Sequence, residues 1–292
     1  MAISAQQVKE LRERTGAGMM ECKTVLTEAD GDMEAAVDLL RKRGLAKADK
    51  KSGRVAAEGR IALAESADAR AAVVVEVNCE TDFVAKNEAF VAFAQDCAAA
   101  ALERGLTEVA QLLADAELEE RRKTLVSQLG ENIAVRRLQR LEVSQGRLGS
   151  YLHGNRIGVL VALEGDGASE DLGRDLAMHV AASRPEVAYP EQVSAERLER
   201  EKEIYRAQAA ESGKPAEIVE KMISGRMSKF VNEIALVGQA FVKDPDRSVG
   251  DLLKAHPGLR VTGFARFEVG EGIEKQQGPD FATEVMSQVR GA

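Results

Sequence analysis

Apolar residues recur at helical spacing through the first forty-odd positions: Val8 and Leu11, a stretch over 19–29, then Ala36, Val37, Leu39 and Leu40. Ser4 with Gln7 three places on has the capping-box pattern that opens a helix. Thr15-Gly16-Ala17-Gly18 divides the first helix from the second, Asp30-Gly31-Asp32 divides the second from the third, and Gly44 is expected to end the third. Three short helices make a small module, better suited to docking than to housing a pocket.

The period then changes. Two strand-like runs, 60–64 and 71–77, flank a polar turn and predict a hairpin. It hands over at once to Glu80-Thr81-Asp82-Phe83-Val84. From the pattern alone this corner has two readings: Thr81 or Asp82 caps the helix through Val91 and Phe93 with Phe83 tucked back, or Phe83 faces outward as a binding tip. Phe90, Phe93, Ala94, Cys97 and Ala101 form one apolar helical stripe ended by Gly105, and a further helix is expected over 116–129 before Gly130. Residues 133–143 alternate partly, with Arg136, Arg137 and Arg140 among apolar positions, as an edge or half-exposed strand does.

The plan then repeats. Residues 148–153 and 157–163 predict a second hairpin around Gly154-Asn155-Arg156, feeding a helix over 169–183 with Leu172, Leu176 and Val180 on one face. Glu164-Gly165-Asp166-Gly167 stands at the second corner, so the shared plan does not itself require an aromatic residue there. From Ser194 a heavily charged helix runs toward Gly213, and Pro215 opens another bearing Ile218, Val219, Met222, Ile223 and Met227. This pair reads as an antiparallel arm available for self-association. Pro245 is expected to interrupt the chain before a short helix at 249–255. A strand over 261–269 completes the second unit, and Phe281, Val285, Met286 and Val289 lie at helical spacing near the C-terminus.

The expected class is α+β: a three-helix, UBA-like module with a basic linker (1–54), a core subdomain with a small antiparallel sheet (55–145), a second subdomain in two parts (146–190 and 237–272) interrupted by the helical hairpin (191–236), and a C-terminal helical module (273–292).

Composition narrows the function classes. The 292 residues are 45% hydrophobic, enough to fill cores, and contain no apolar run near the length of a membrane span; a cytoplasmic protein is expected. Cys22, Cys79 and Cys97 lack Cys-x-x-Cys spacing and read as small buried residues. His153, His179 and His256 are scattered, so no metal site is expected. A net charge of −8 disfavours direct nucleic-acid binding. The exception is Arg41, Lys42, Arg43, Lys47, Lys50, Lys51 and Arg54, read as a charged linker, with an RNA patch as the competing reading.

No nucleophile elbow, phosphate loop or zinc-protease helix occurs, and no cofactor is expected. Gly270-Glu271-Gly272 lacks a third glycine and carries an acid that would repel phosphate. His179 reads as a structural histidine, and His153, before a hairpin tip, as either a turn or an interface residue.

Residues 11–23 (Leu-Arg-Glu-Arg-Thr-Gly-Ala-Gly-Met-Met-Glu-Cys-Lys) and 76–87 (Glu-Val-Asn-Cys-Glu-Thr-Asp-Phe-Val-Ala-Lys-Asn) resemble the bacterial elongation factor Ts family. Gly130-Glu131-Asn132-Ile133, the segments 149–154 and 178–183, and 263–272 extend the resemblance in order over nearly the whole chain. It implies a guanine-nucleotide exchange factor whose partner is the GTPase elongation factor Tu, without covalent chemistry. It implies further that Thr81, Asp82, Phe83 and Val84 insert beside the partner's nucleotide site and disturb its magnesium, with further contacts at Arg12, Met19, Met20, Leu129, Gly130 and His153. A scaffold assembling subunits and a small-molecule enzyme are the other classes. The first predicts no effect on GDP release, and the second a deep pocket lined by perturbed acids or bases.

Overall fold

The computed structural model describes residues 3–210 and 215–274; the expected C-terminal helix around Phe281 and Val289 and the turn at Gly213 lie outside them. Helices α1 (Ala5–Thr15), α2 (Met19–Glu28) and α3 (Met33–Lys51) open the chain. Ser4 caps α1 through the reciprocal box with Gln7, and Gly16 ends it in the left-handed conformation at φ 68°. Val8, Leu11, Cys22, Val25, Leu26, Ala36 and Leu40 form the module's core.

Helix α3 does not stop at Gly44, as the glycine suggested, but continues to Lys51. The reason is packing. A Cβ on Gly44 would lie 3.3 Å from the Ser127 side chain, so the missing side chain admits close approach of another helix. Much of the supposed basic linker is therefore helical, and several of its charges have partners: Arg41 pairs with Glu120, Arg43 with Glu28, and the Lys51 ammonium donates to the Gly130 carbonyl.

Strands β1 (Glu58–Glu65) and β2 (Ala71–Cys79) form the first hairpin. It leads into a one-turn helix α4 (Asp82–Ala85), then α5 (Glu88–Glu103), α6 (Val109–Leu113), α7 (Ala116–Leu129) and β3 (Ala134–Glu142). The second hairpin is β4 (Gly146–His153) with β5 (Ile157–Glu164), followed by α8 (Glu170–Ser183). Helices α9 (Ala195–Ala210) and α10 (Ala216–Ile234) pack antiparallel: Arg197 lies over Phe230 near one end, and Arg226 lies over Tyr205 farther along. Short strands β6 (Ala240–Phe241) and β7 (Asp244–Ser248), helix α11 (Val249–Lys254) and strand β8 (Arg260–Glu268) follow. Pro245 thus lies within β7 rather than merely breaking the chain; in a two-stranded ribbon each strand has an unpaired side, where a proline's missing N–H is tolerated.

Besides the β6-β7 ribbon, the described strands make two antiparallel three-stranded sheets, ordered β1-β2-β3 and β4-β5-β8, with β3 at an edge. In the central strands, period-two alternation assigns the core residues. Val73, Val75 and Val77 face α5 and α7, while Ala72 and Val74 face the other sheet; in β5, Val159, Val161 and Leu163 face α8, while Leu160 and Ala162 face inward. Both faces of β2 and β5 are covered, which is why they read as continuous apolar runs.

The inter-sheet face of β2 continues to Glu76, which is fully buried. One carboxylate oxygen accepts from the Gly270 amide at 2.8 Å and Asn78 Nδ2 at 3.0 Å, and the other from Arg137 Nε at 2.5 Å. Arg136 adds a contact at 3.1 Å. Arg137 also donates to the Glu268 carbonyl at 3.0 Å and stacks 4.2 Å over Phe267, so one buried acid ties both sheets together.

Close backbone approach sets another limit. A Cβ on Gly149 would lie 2.2 Å from the Gly173 backbone, where β4 meets α8. Gly149→Ala is expected to lower folding stability by about 3 kcal/mol in denaturant titration, whereas Gly225→Ala, with nothing near its would-be Cβ, does not lower it.

All three thiols are buried. Burial pushes those of Cys79 and Cys97 up to about 12 and raises that of Cys22. The folded chain is expected to resist alkylation near pH ~8 and to react once unfolded; fast labelling of the folded chain would contradict this burial.

Candidate functional site

The corner after β2 is built from a strand end, a cap and a two-point attachment. Thr81 is the N-cap of α4, its hydroxyl accepting from the Val84 amide. Asn87 caps α5 separately, accepting from the Ala89 and Phe90 amides, so the single helix expected through Val91 is two helices with a break between them. That break lets both readings of the corner hold at once, on different residues. Thr81 caps; Phe83 points out, with 81% of its surface exposed.

Val84 and Ala85 turn inward to the core of the first sheet, fixing the base of α4. Val84 is only 8% exposed. Within the segment Val84 serves as the mount, and the outward side chains are Asp82 and Phe83. A 2.7 Å hydrogen bond from Lys86 holds the Asp82 carboxyl below its usual range, so it is ionised at neutral pH.

Glu131 holds the corner from outside. Its carboxylate accepts from the Glu80 amide at 3.0 Å, the Thr81 amide at 2.9 Å and the Thr81 hydroxyl at 2.5 Å. Glu80 returns the bond, accepting from the Asn132 amide at 2.6 Å, while Asn132 Nδ2 donates to the Arg54 carbonyl at 2.8 Å. The segment 130–132 thus joins the corner to the end of α3. Nothing in the sequence assigns this role to Glu131 and Asn132, because a bond across fifty residues has no local signature.

The remaining expected contacts are placed as follows. Gly130 is exposed and ends α7 at φ 77°, beside the corner, while Leu129 is half-buried against the first core. His153 is exposed at the end of β4, its Nδ1 3.0 Å from the Tyr151 hydroxyl. Its hairpin turn reaches the same end of the first sheet: Asn155 accepts from the Ile61 amide, and Arg156 pairs at 2.7 Å with Glu58, the register partner of Cys79. Arg12, Met19 and Met20 are exposed on the N-terminal module. The module joins that region through α3, where Arg41 pairs with Glu120 and Lys51 donates to the Gly130 carbonyl, and through Gln128, which donates to the Thr15 carbonyl at 2.5 Å.

His179 is no candidate base. It is fully buried, accepts from the Val242 amide at Nδ1 (3.2 Å) and so carries its proton on Nε2, facing Gln239 Oε1 at 2.9 Å. Burial lowers its pKa. Among the described residues, no three His, Cys, Asp or Glu side chains gather as a metal-holding group, and no helix is long and apolar enough to cross a membrane.

A sequence profile of the family described as Elongation factor TS matches residues 80–271, about two thirds of the chain. The chain belongs to the elongation factor Ts family. It is 71% identical to the Elongation factor Ts of Acidithiobacillus ferrooxidans over 292 residues, all of both chains. To that of Methylococcus capsulatus it is 59% identical, again over all of both chains, and to that of Nitrosospira multiformis 55% identical over 98% of this chain and 96% of the relative. Membership of the elongation factor Ts family makes the chain a nucleotide-exchange factor for elongation factor Tu, not a catalyst of covalent chemistry. The family profile begins at Glu80, the first residue of the corner.

Proposed function

We propose that the chain expels GDP from elongation factor Tu by inserting the Asp82-Phe83 tip beside the nucleotide and its magnesium ion. The observation that carries this reading is Phe83: a large aromatic side chain 81% exposed on a one-turn helix whose cap and base are both fixed. An apolar ring held in water at such a corner adds nothing to its own core and is available to wedge between elements of a partner. Asp82, ionised beside it, brings negative charge toward the metal's surroundings. Loss of the magnesium removes the main neutraliser of the diphosphate, and GDP affinity falls. Thr81 and Val84 serve as cap and mount. Gly130 and His153, at the same end of the first sheet, and Arg12, Met19 and Met20, on the N-terminal module, are the proposed additional contacts that hold the wedge in register.

Exchange of this kind is linkage. A chain that weakens GDP binding to its partner must itself bind the nucleotide-free partner more tightly, by the same factor. Titration calorimetry with the nucleotide-free and GDP-bound partner is expected to give affinities differing by about 100-fold; equal affinities would leave only a scaffold. Ile204 and Ile218, exposed on α9 and α10, support self-association through the helical pair as part of the same proposal. Work in translation elongation would place the chain in the cytoplasm. The pairing of Arg41, Arg43 and Arg54 with acids favours this protein-directed reading over an RNA patch.

A further inference from the structure

We infer that Glu131 is a positioning residue for the exchange tip, acting through Thr81 on the presentation of Phe83; the functional half of this inference rests on the wedge role proposed above. The carboxylate engages three donors on two consecutive residues, the amides of Glu80 and Thr81 at 3.0 and 2.9 Å and the Thr81 hydroxyl at 2.5 Å. Those amides lie where β2 has ended and α4 has not begun, so no strand or helix ladder supplies their acceptor.

The hydroxyl contact sets a direction. Thr81 has one O–H proton, and giving it to Glu131 leaves its lone pairs for the Val84 amide, 3.4 Å away, which is the cap of α4. Glu131 thereby orients the cap, the cap holds the turn, and the turn carries Phe83. The reciprocal bond from the Asn132 amide to Glu80, at 2.6 Å, keeps Glu131 itself from swinging away. Arg54, whose carbonyl accepts from Asn132 and whose guanidinium lies 3.6 Å from Glu80, extends the brace to the segment that follows α3. An acceptor with two oxygens suits this place because a single carbonyl could not face the paired amides and the hydroxyl together.

Two measurements on the full chain test it. In hydrogen exchange, the amides of Glu80, Thr81 and Val84 are expected to exchange about tenfold faster in Glu131→Ala than in the parent, while those in the middle of α5 keep their rates. Unchanged rates at the corner overturn the inference whatever Phe83 does. In GDP release from elongation factor Tu at saturating chain, Glu131→Ala is expected to slow the maximal rate about tenfold, and Glu131→Gln, which keeps one carbonyl acceptor, about threefold. In a Phe83→Ala background the Glu131→Ala change is expected to cost less than about twofold, because the side chain it positions is gone. A full tenfold cost in that background overturns the inference, since Glu131 would then act elsewhere. If Phe83→Ala alone releases GDP like the parent, the wedge reading fails, and hydrogen exchange still decides whether Glu131 holds the corner. Should Glu131→Ala not fold, Glu131→Gln carries both measurements, with the same outcomes deciding.

Discussion

Phe83→Ala is expected to slow chain-stimulated GDP release from elongation factor Tu by about 100-fold, the loss typical of a central aromatic contact in an interface. Folding stability should move by less than ~0.5 kcal/mol, because a ring already 81% exposed gives its own core almost nothing to lose. The contrast is the point. A structural phenylalanine such as Phe90 or Phe93, both fully buried, would show the opposite pattern, with stability falling by about 4 kcal/mol on truncation to alanine. Stopped-flow release and denaturant titration of the same Phe83→Ala sample separate the two cases. A normal release rate would refute the wedge; a large loss of stability would mean that the ring packs against its own chain.

Glu76→Ala is expected to lower folding stability by about 3 kcal/mol. The carboxylate is fully buried between the sheets, and its removal leaves the Gly270 amide and the Asn78 amide group without this acceptor, takes a counter-charge from Arg136, and leaves Arg137 with Glu271 in place of two acids. Burial alone would raise the Glu76 pKa. The Gly270 amide, Arg137 and Asn78 outweigh it, and the net shift is downward from 4.5. The sign follows from linkage: a carboxylate depressed in the folded state stabilises fully above its unfolded pKa, and the contribution disappears as pH falls through the folded value. The parent should therefore lose more stability than Glu76→Gln between about pH 7 and about pH 3. Denaturant midpoints at the two pH values check this, and equal losses would remove Glu76 as the link.

The helices and strands were legible wherever one face or both faces are apolar. The apolar run of β2 announced a strand, and the stripe of Phe90, Phe93, Ala94, Cys97 and Ala101 announced α5. Gly44 misled because the same residue serves as a helix stop and as a point of close approach, and only the neighbouring Ser127 distinguishes them. The pair β6-β7 was missed because its residues are mostly exposed and carry no alternation. Glu76 looked like an ordinary strand residue; its value lies in Gly270, nearly two hundred positions away.

At the corner, Thr81-Asp82-Phe83-Val84 could be found by its residue types, but cap, tip and mount could not be told apart. Their roles depend on Asn87 starting a second helix and on Val84 meeting the first core. Glu131 was out of reach for the same reason as Glu76: its donors come from a distant part of the chain.

The central claim is that this chain drives GDP off elongation factor Tu. Stopped-flow release of labelled GDP from the purified partner, with and without excess chain, tests it most directly. Acceleration of about 100-fold or more is the predicted result, and release at the rate of the partner alone would contradict the account.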